Sequence, residues 1–189
     1  MFRLQEKTYR LLGVKKGIDF NKSNEMLCKA FGIDINEFNK KLQELEAQAK
    51  VDDAYKTLQT LCDTKSQDAK AYINGAKVTA EQLARYEEKY QIAKEYKAGM
   101  LNKDTYKDML QLEANLQGIS VDTLADLIIE KGDAYKNTLL VFNARIEAFR
   151  VKVKSIIEAG AIDKANEIIK QAKALGVEAT DEDVAKLFE

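Results

Sequence analysis

The chain has no proline, no histidine and no tryptophan, and only two cysteines and nine glycines in 189 residues. Without proline, no helix carries a kink imposed by sequence, and turns must rest on glycine and on capping side chains. Without histidine, the commonest general base and the commonest nitrogen ligand of zinc are both missing. Cys28 and Cys62 have no metal-ligand spacing and sit beside Leu27 and Leu61 in helical patterns. They read as buried free thiols, with a disulfide left open by sequence alone. No run of about 18 apolar residues exists to span a membrane, and the opening Met-Phe-Arg-Leu-Gln-Glu lacks the apolar stretch of a secretory signal. Thirty basic and 31 acidic residues are mixed along the chain for a net charge of -1. That balance supplies no field to gather nucleic acid or anionic lipid and argues against both as partners. A soluble protein of a reducing cytoplasm, or of a particle assembled there, is expected.

What the chain does have is a 46% hydrophobic, 32% charged composition suited to an ordered core, and one long periodic segment. From Val121 to Ile157 the apolar residues fall at Val121, Ala125, Ile128, Gly132, Tyr135, Leu139, Phe142, Ile146, Phe149, Val153 and Ile156, at spacings of 4 and 3 in strict alternation. This is the seam of an α-helix made to lie along other helices. At about 1.5 Å per residue it predicts a rod roughly 55 Å long. Gly132 lies on the seam, where another backbone can come close. A further row at Leu127, Ala134, Val141 and Ala148, spaced by seven, lies beside the seam. The apolar arc is therefore wider than one contact needs, and the rod is expected to touch two or more neighbours. The candidate interface residues are Leu127, Gly132, Ala134, Tyr135, Val141, Phe142, Ala148 and Phe149.

Helix-entry signals divide the rest. Asp34 with Glu37, Thr79 with Gln82, Ser120, and Thr180 are placed to cap helices. The spacing predicts helices near 4–12, 21–31, 35–72, 80–97, 103–116, 121–157 and 162–175, with a last turn or two ending on Val184, Leu187 and Phe188. In the helix over 35–72 the pattern is clean early, at Phe38, Leu42, Leu45 and Ala49, and poor late, where Tyr55, Leu58 and Cys62 carry it. It weakens near Asp52-Asp53 and again near Thr64 to Asp68. Asn74-Gly75 is the strongest turn signal, made either as a tiny β-hairpin or as a helix-to-helix turn. The reading is an all-α, elongated helical bundle with two long helices. It has an N-terminal helical region over 1–73 and a C-terminal bundle over 74–189 built around the 121–157 helix.

Other clusters favour packing or solvation over chemistry. Arg145, Arg150, Lys152 and Lys154 near a helix C-terminus complement its dipole and are interrupted by Glu147 and Glu158, so an ion-paired face is expected there. Tyr86 and Tyr90 align with Leu83 one turn apart, which favours packing over a stacking surface among Arg85, Lys89 and Tyr96. Glu87-Glu88, Asp52-Asp53 and Asp181-Glu182-Asp183 are neighbours whose side chains diverge on a helix, with no glycine-bearing calcium loop around them. No serine lies in a nucleophile elbow and no glycine-rich phosphate loop is present. The expectation is a protein that is not an enzyme and uses no metal and no cofactor.

Tyr72-Ile73-Asn74-Gly75, Val78-Thr79-Ala80-Glu81-Gln82, Arg85-Tyr86-Glu87-Glu88-Lys89-Tyr90 and Ala93-Lys94 resemble segments of helical bacteriophage structural proteins of the tail and neck region. Gly118-Ile119-Ser120-Val121, Leu124-Ala125-Asp126-Leu127-Ile128-Ile129, Lys131-Gly132 and Ile146-Glu147-Ala148-Phe149-Arg150 look like the same group. The likeness covers about residues 72 to 170. It implies a virion component or assembly factor, located in the virion or the host cytoplasm, whose partners are itself or other virion proteins. A phage-encoded inhibitor or adaptor that binds a host protein is the competing reading.

Overall fold

The computed structural model describes residues 20–73 and 76–189, of which 81% are helical. The helix expected near 4–12 and the Asn74-Gly75 turn itself lie outside the described residues. The order is α1 (Phe20–Phe31), α2 (Ile35–Lys70), β1 (Tyr72–Ile73), β2 (Ala76–Lys77), α3 (Ala80–Lys97), α4 (Asp104–Gln117), α5 (Val121–Glu158), α6 (Ile162–Ala174) and α7 (Asp181–Lys186). The fold is an all-α bundle with two long helices and one small hairpin, in which Tyr72 pairs with Lys77 and Ile73 with Ala76 in antiparallel register.

Capping fixes the boundaries. Asp34 Oδ1 accepts from the amides of Asn36 at 2.7 Å and Glu37 at 3.2 Å. Thr79 and Gln82 close a reciprocal box at the start of α3, and Thr180 and Asp183 do the same for α7. Ser120 Oγ accepts from Thr123 N at 3.1 Å at the start of α5. Immediately before that cap, Gly118 turns the chain at φ +67°, a left-handed conformation that ends α4 at little steric cost. Such side chains satisfy amides that the first helical turn leaves unpaired.

The chain divides into two units, 1–51 and 52–189, and the division falls inside α2. The break expected at 73/74 lies within the second unit. In the first unit, Asn24 and Cys28, one turn apart on α1, are buried. Of the early apolar residues of α2, Phe38 and Leu42 are only half-covered there, and Leu45 and Ala49 are exposed. The late part of α2, whose pattern is poor, is the part that packs: Ala54, Leu58, Leu61, Cys62 and Ala69 are buried. The helix runs without interruption through Asp52-Asp53 and through Thr64 to Asp68.

In the second unit α3, α4 and α6 all pack on α5, 38 residues and about 57 Å of helix. The end of α2 runs antiparallel to its second half, through Gln59 with Arg150, Ser66 with Asn143, and Lys70 with Tyr135. After the hairpin, α3 continues in the same sense along the first half, through Tyr90 with Asp133 and Lys97 with Asp126 and Asp122. α4 packs on the first half, where Ile92, Leu101, Leu110, Ala114 and Leu124 form one buried cluster. α6 contributes Ala165, Ile168, Ile169 and Ala172 to the buried set and packs on α5.

Gly132 sits where α3 crosses α5. A Cβ at this position would lie 2.1 Å from Tyr90 Cδ2 and 2.6 Å from Cε2. The buried Tyr90 ring occupies that space, its hydroxyl donates to Asp133 Oδ1 at 2.6 Å, and Lys136 Nζ lies 3.7 Å from the ring centre. The ring is thus held on three sides and has little room to give. Gly132→Ala gains about 1 kcal/mol of helix propensity and loses about 1 to 3 kcal/mol to overpacking. Thermal melting should therefore show a lowered Tm for Gly132→Ala and a larger drop for Gly132→Leu. Adding Tyr90→Leu to Gly132→Ala should recover part of the loss. An unchanged or raised Tm in both single variants would place Gly132 away from any neighbour.

Candidate protein interface on the long helix

The eight candidate residues on α5 fall on two faces. Gly132, Tyr135 and Phe142 are half-buried and Phe149 is buried, all turned towards helices of the same chain. Leu127, Ala134, Val141 and Ala148 are exposed. Tyr135 donates from its hydroxyl to the carbonyl of Lys70 at 2.8 Å, on the last turn of α2. Desolvation, with the carboxylate of Glu87 second, pushes its phenol up. Phe149 meets Phe188 edge to face at 5.8 Å between ring centres. The inner face is therefore turned to the chain's own side chains.

None of the described residues covers the outer face. Leu140 is 68% exposed, Val141 53% and Val151 56%. With Asn137, Ala144, Ala148 and Ser155, also exposed, Val141 and Val151 complete a second alternation of 4 and 3 along the helix: 137, 141, 144, 148, 151 and 155. Leu140 lies at its edge. α5 thus carries two seams on opposite faces, one packed and one open. The spacing of seven picks out only one of the two lines of the outer repeat. Asn137, Ala144 and Val151 were readable from the sequence once the intervening residues were tested for the same alternation.

Small side chains at the centre of the open row, Ala144 and Ala148, let another helix approach closely, while Leu140, Val141 and Val151 supply apolar area around them. Burying each of these larger side chains is worth about 1.5 to 3 kcal/mol relative to full exposure. An isolated surface leucine needs no explanation. A contiguous apolar strip three turns long is the kind of surface that marks a contact.

The polar clusters are engaged within the chain. Arg150 pairs with Glu147, Arg145 Nε lies 2.5 Å from Asp181 Oδ1, and Lys152 lies over the Phe188 ring. Arg85 pairs with Glu81 and Lys89 with Glu113. Tyr90 is buried as packing predicts, whereas Tyr86 is 50% exposed because the ring at position 90, and not the one a turn earlier, meets Gly132. On α4, Leu112 and Leu116 point to solvent, and Leu110 and Ala114 make the contact instead. Cys28 and Cys62 are free and buried, and burial pushes both thiols up. Among the described residues, no group of three or more histidine, cysteine, aspartate or glutamate side chains is placed to hold a metal ion. No described helix is long and apolar enough to cross a membrane.

Compared with models of protein families, with curated proteins and with solved structures, the chain matches none.

Phe149 separates the two faces experimentally. Truncating a buried phenylalanine costs about 3 to 5 kcal/mol. Because its partners lie on the same chain, Phe149→Ala should lower Tm by the same amount across a hundredfold range of protein concentration. A loss that shrinks as concentration rises would instead put the ring between molecules.

Proposed function

We propose that this protein is a non-enzymatic helical structural or assembly component, phage-encoded, that works by laying the outer face of α5 against another helix. The observation that supports the reading is the second seam: between Asn137 and Ser155 the helix is apolar on a face that none of the described residues covers. The partner is a second copy or another virion protein. The resemblance over residues 72 to 170 to tail and neck proteins favours a role in the particle, where long helices align side by side. An inhibitor or adaptor of a host protein would use the same face but would be a compact monomer by itself and absent from purified particles.

Sedimentation with light scattering, together with mass spectrometry of purified particles, tests the proposal. Val141→Glu combined with Ala148→Glu places two charges on the open row, where no intramolecular contact is lost. The monomer's stability should stay within about 0.5 kcal/mol of the parent, as for other surface substitutions. Self-association or incorporation into particles should fall at least tenfold. A parent chain that is monomeric at high micromolar concentration and missing from particles would defeat the reading.

A further inference from the structure

On its inner side, the second half of α5 forms a groove with the end of α2 and with α6. Its floor and walls are Leu61, Cys62, Phe142, Ile146, Phe149 and Ala172. The C-terminal segment lies over it: a connection from Leu175 to Thr180, the six residues of α7, then Leu187 and Phe188.

The fit is incomplete. No residue of α7 is buried, and Val184, Leu187 and Phe188 are each half-covered. A cavity of about 60 Å³, walled almost entirely by apolar side chains, remains beneath them. That is room for more than one methyl group, and the space is partly open to solvent. A helix of six residues is also far too short to be stable by itself.

Charge holds the segment at its rim. Arg145 reaches Asp181, with Nε 2.5 Å from Oδ1, and donates to the carbonyl of Ala179 at 3.4 Å. Nε is buried yet has no well-aligned hydrogen bond, so the ion pair is close but poorly directed. Lys65 Nζ donates to the carbonyls of Lys173, at 3.0 Å, and of Leu175. Lys152 Nζ lies 5.0 Å from the centre of the Phe188 ring.

We propose that this groove is a recognition site for an amphipathic helix of another protein, acidic in its first turn and apolar further on, and that α7 occupies it in cis as a weak stand-in. The chemistry of the occupant is read from what is seated there. It has an acid facing Arg145, aliphatic anchors three and six residues later, and an aromatic ring against Phe149 and Lys152. An amphipathic helix lying in an apolar groove through anchors one and two turns apart is a recurring mode of recognition. A longer helix with larger anchors would fill the cavity that α7 leaves and would not pay the same relative penalty for its ends. Its apparent affinity is lowered by the fraction of time α7 holds the site. The proposal does not depend on the outer row of α5, which lies on the other side of the helix.

The test uses full-length chains and a fluorescein-labelled peptide with the sequence of residues 176–189, read by anisotropy. The parent should bind it weakly. The variant Leu187→Ser with Phe188→Ser, which loosens the cis occupant, should bind it at least tenfold more tightly. Adding Arg145→Glu should remove that gain, and a peptide carrying Asp181→Lys should restore it. Equal binding by the parent and the loosened variant, or insensitivity to Arg145→Glu, would overturn the proposal. If the loosened variant does not fold, hydrogen exchange on the parent decides. Amides of α7 should exchange at least a hundredfold faster than those around Val153, and equal protection would show α7 to be a permanent part of the core.

Discussion

The inner seam of α5 is the constraint on which the second unit depends. Its residues from Val121 to Ile156 keep one face of a 38-residue helix in contact with other helices from end to end. The spacing of 4 and 3 holds that face in register only if the partners follow it along the whole length. No single partner does. The end of α2 serves the second half, and α3 serves the first, with the hairpin at 72–77 carrying the chain from one to the other. The change of partner falls at Gly132 and Tyr135. There the glycine admits the ring of Tyr90, and the phenol of Tyr135 ties down the last turn of α2. A larger residue at 132 would push against the ring of Tyr90, near the middle of α3.

The two halves are closed differently. Around the first half, α4 and the connections on either side of it bring Leu101, Leu110 and Ala114 against Ile92 and Leu124. Lys97 reaches two aspartates on α5, and hydrogen bonding to Asp126 raises its ammonium pKa. Around the second half, α6 packs well, but the segment beyond it covers its groove only in part. The difference follows from length: α4 has 14 residues and α7 has six. A helix of six residues cannot present more than two turns of side chains to a groove.

Much of this was legible. The capping residues Asp34, Thr79, Ser120 and Thr180 marked helix starts because an oxygen placed to accept a free amide is a local requirement. The inner seam was legible because it is long and strictly periodic. The packing of α2 was legible only in part: Leu58 and Cys62 were in its pattern, whereas Ala54 and Ala69 are too small to stand out. The most deeply buried positions include Ala54, Ala93, Ala114, Ala125 and Ala165, where helices approach too closely for anything larger. A reading weighted towards large apolar residues selects Leu45, Leu112 and Leu116, which are exposed, and passes over the buried Ala54 and Ala114, although the regular seam did pick out Ala125. Of the candidate interface, the inner residues were legible as a seam. Their assignment to the chain's own helices required knowing how α2 and α3 succeed one another.

The outer row of α5 raises the question of why a helix already packed along one side keeps a second apolar face. Fold stability does not require it, since Leu140, Val141 and Val151 contact solvent and their replacement by polar residues would leave the core intact. The arrangement of the row is also more specific than scattered surface hydrophobicity. Its centre is small, its edges are large, and it contains Asn137 at one seam position, where a polar side chain can fix the register of a paired helix at some cost in stability. A flat apolar surface would gain nothing from Ala144 and Ala148 at its centre, whereas a second helix gains a close approach of the two backbones. The small centre and larger edges of the row match the shape of a second helix. A protein whose longest helix is packed on one side and open on the other can add neighbours without rearranging its own core.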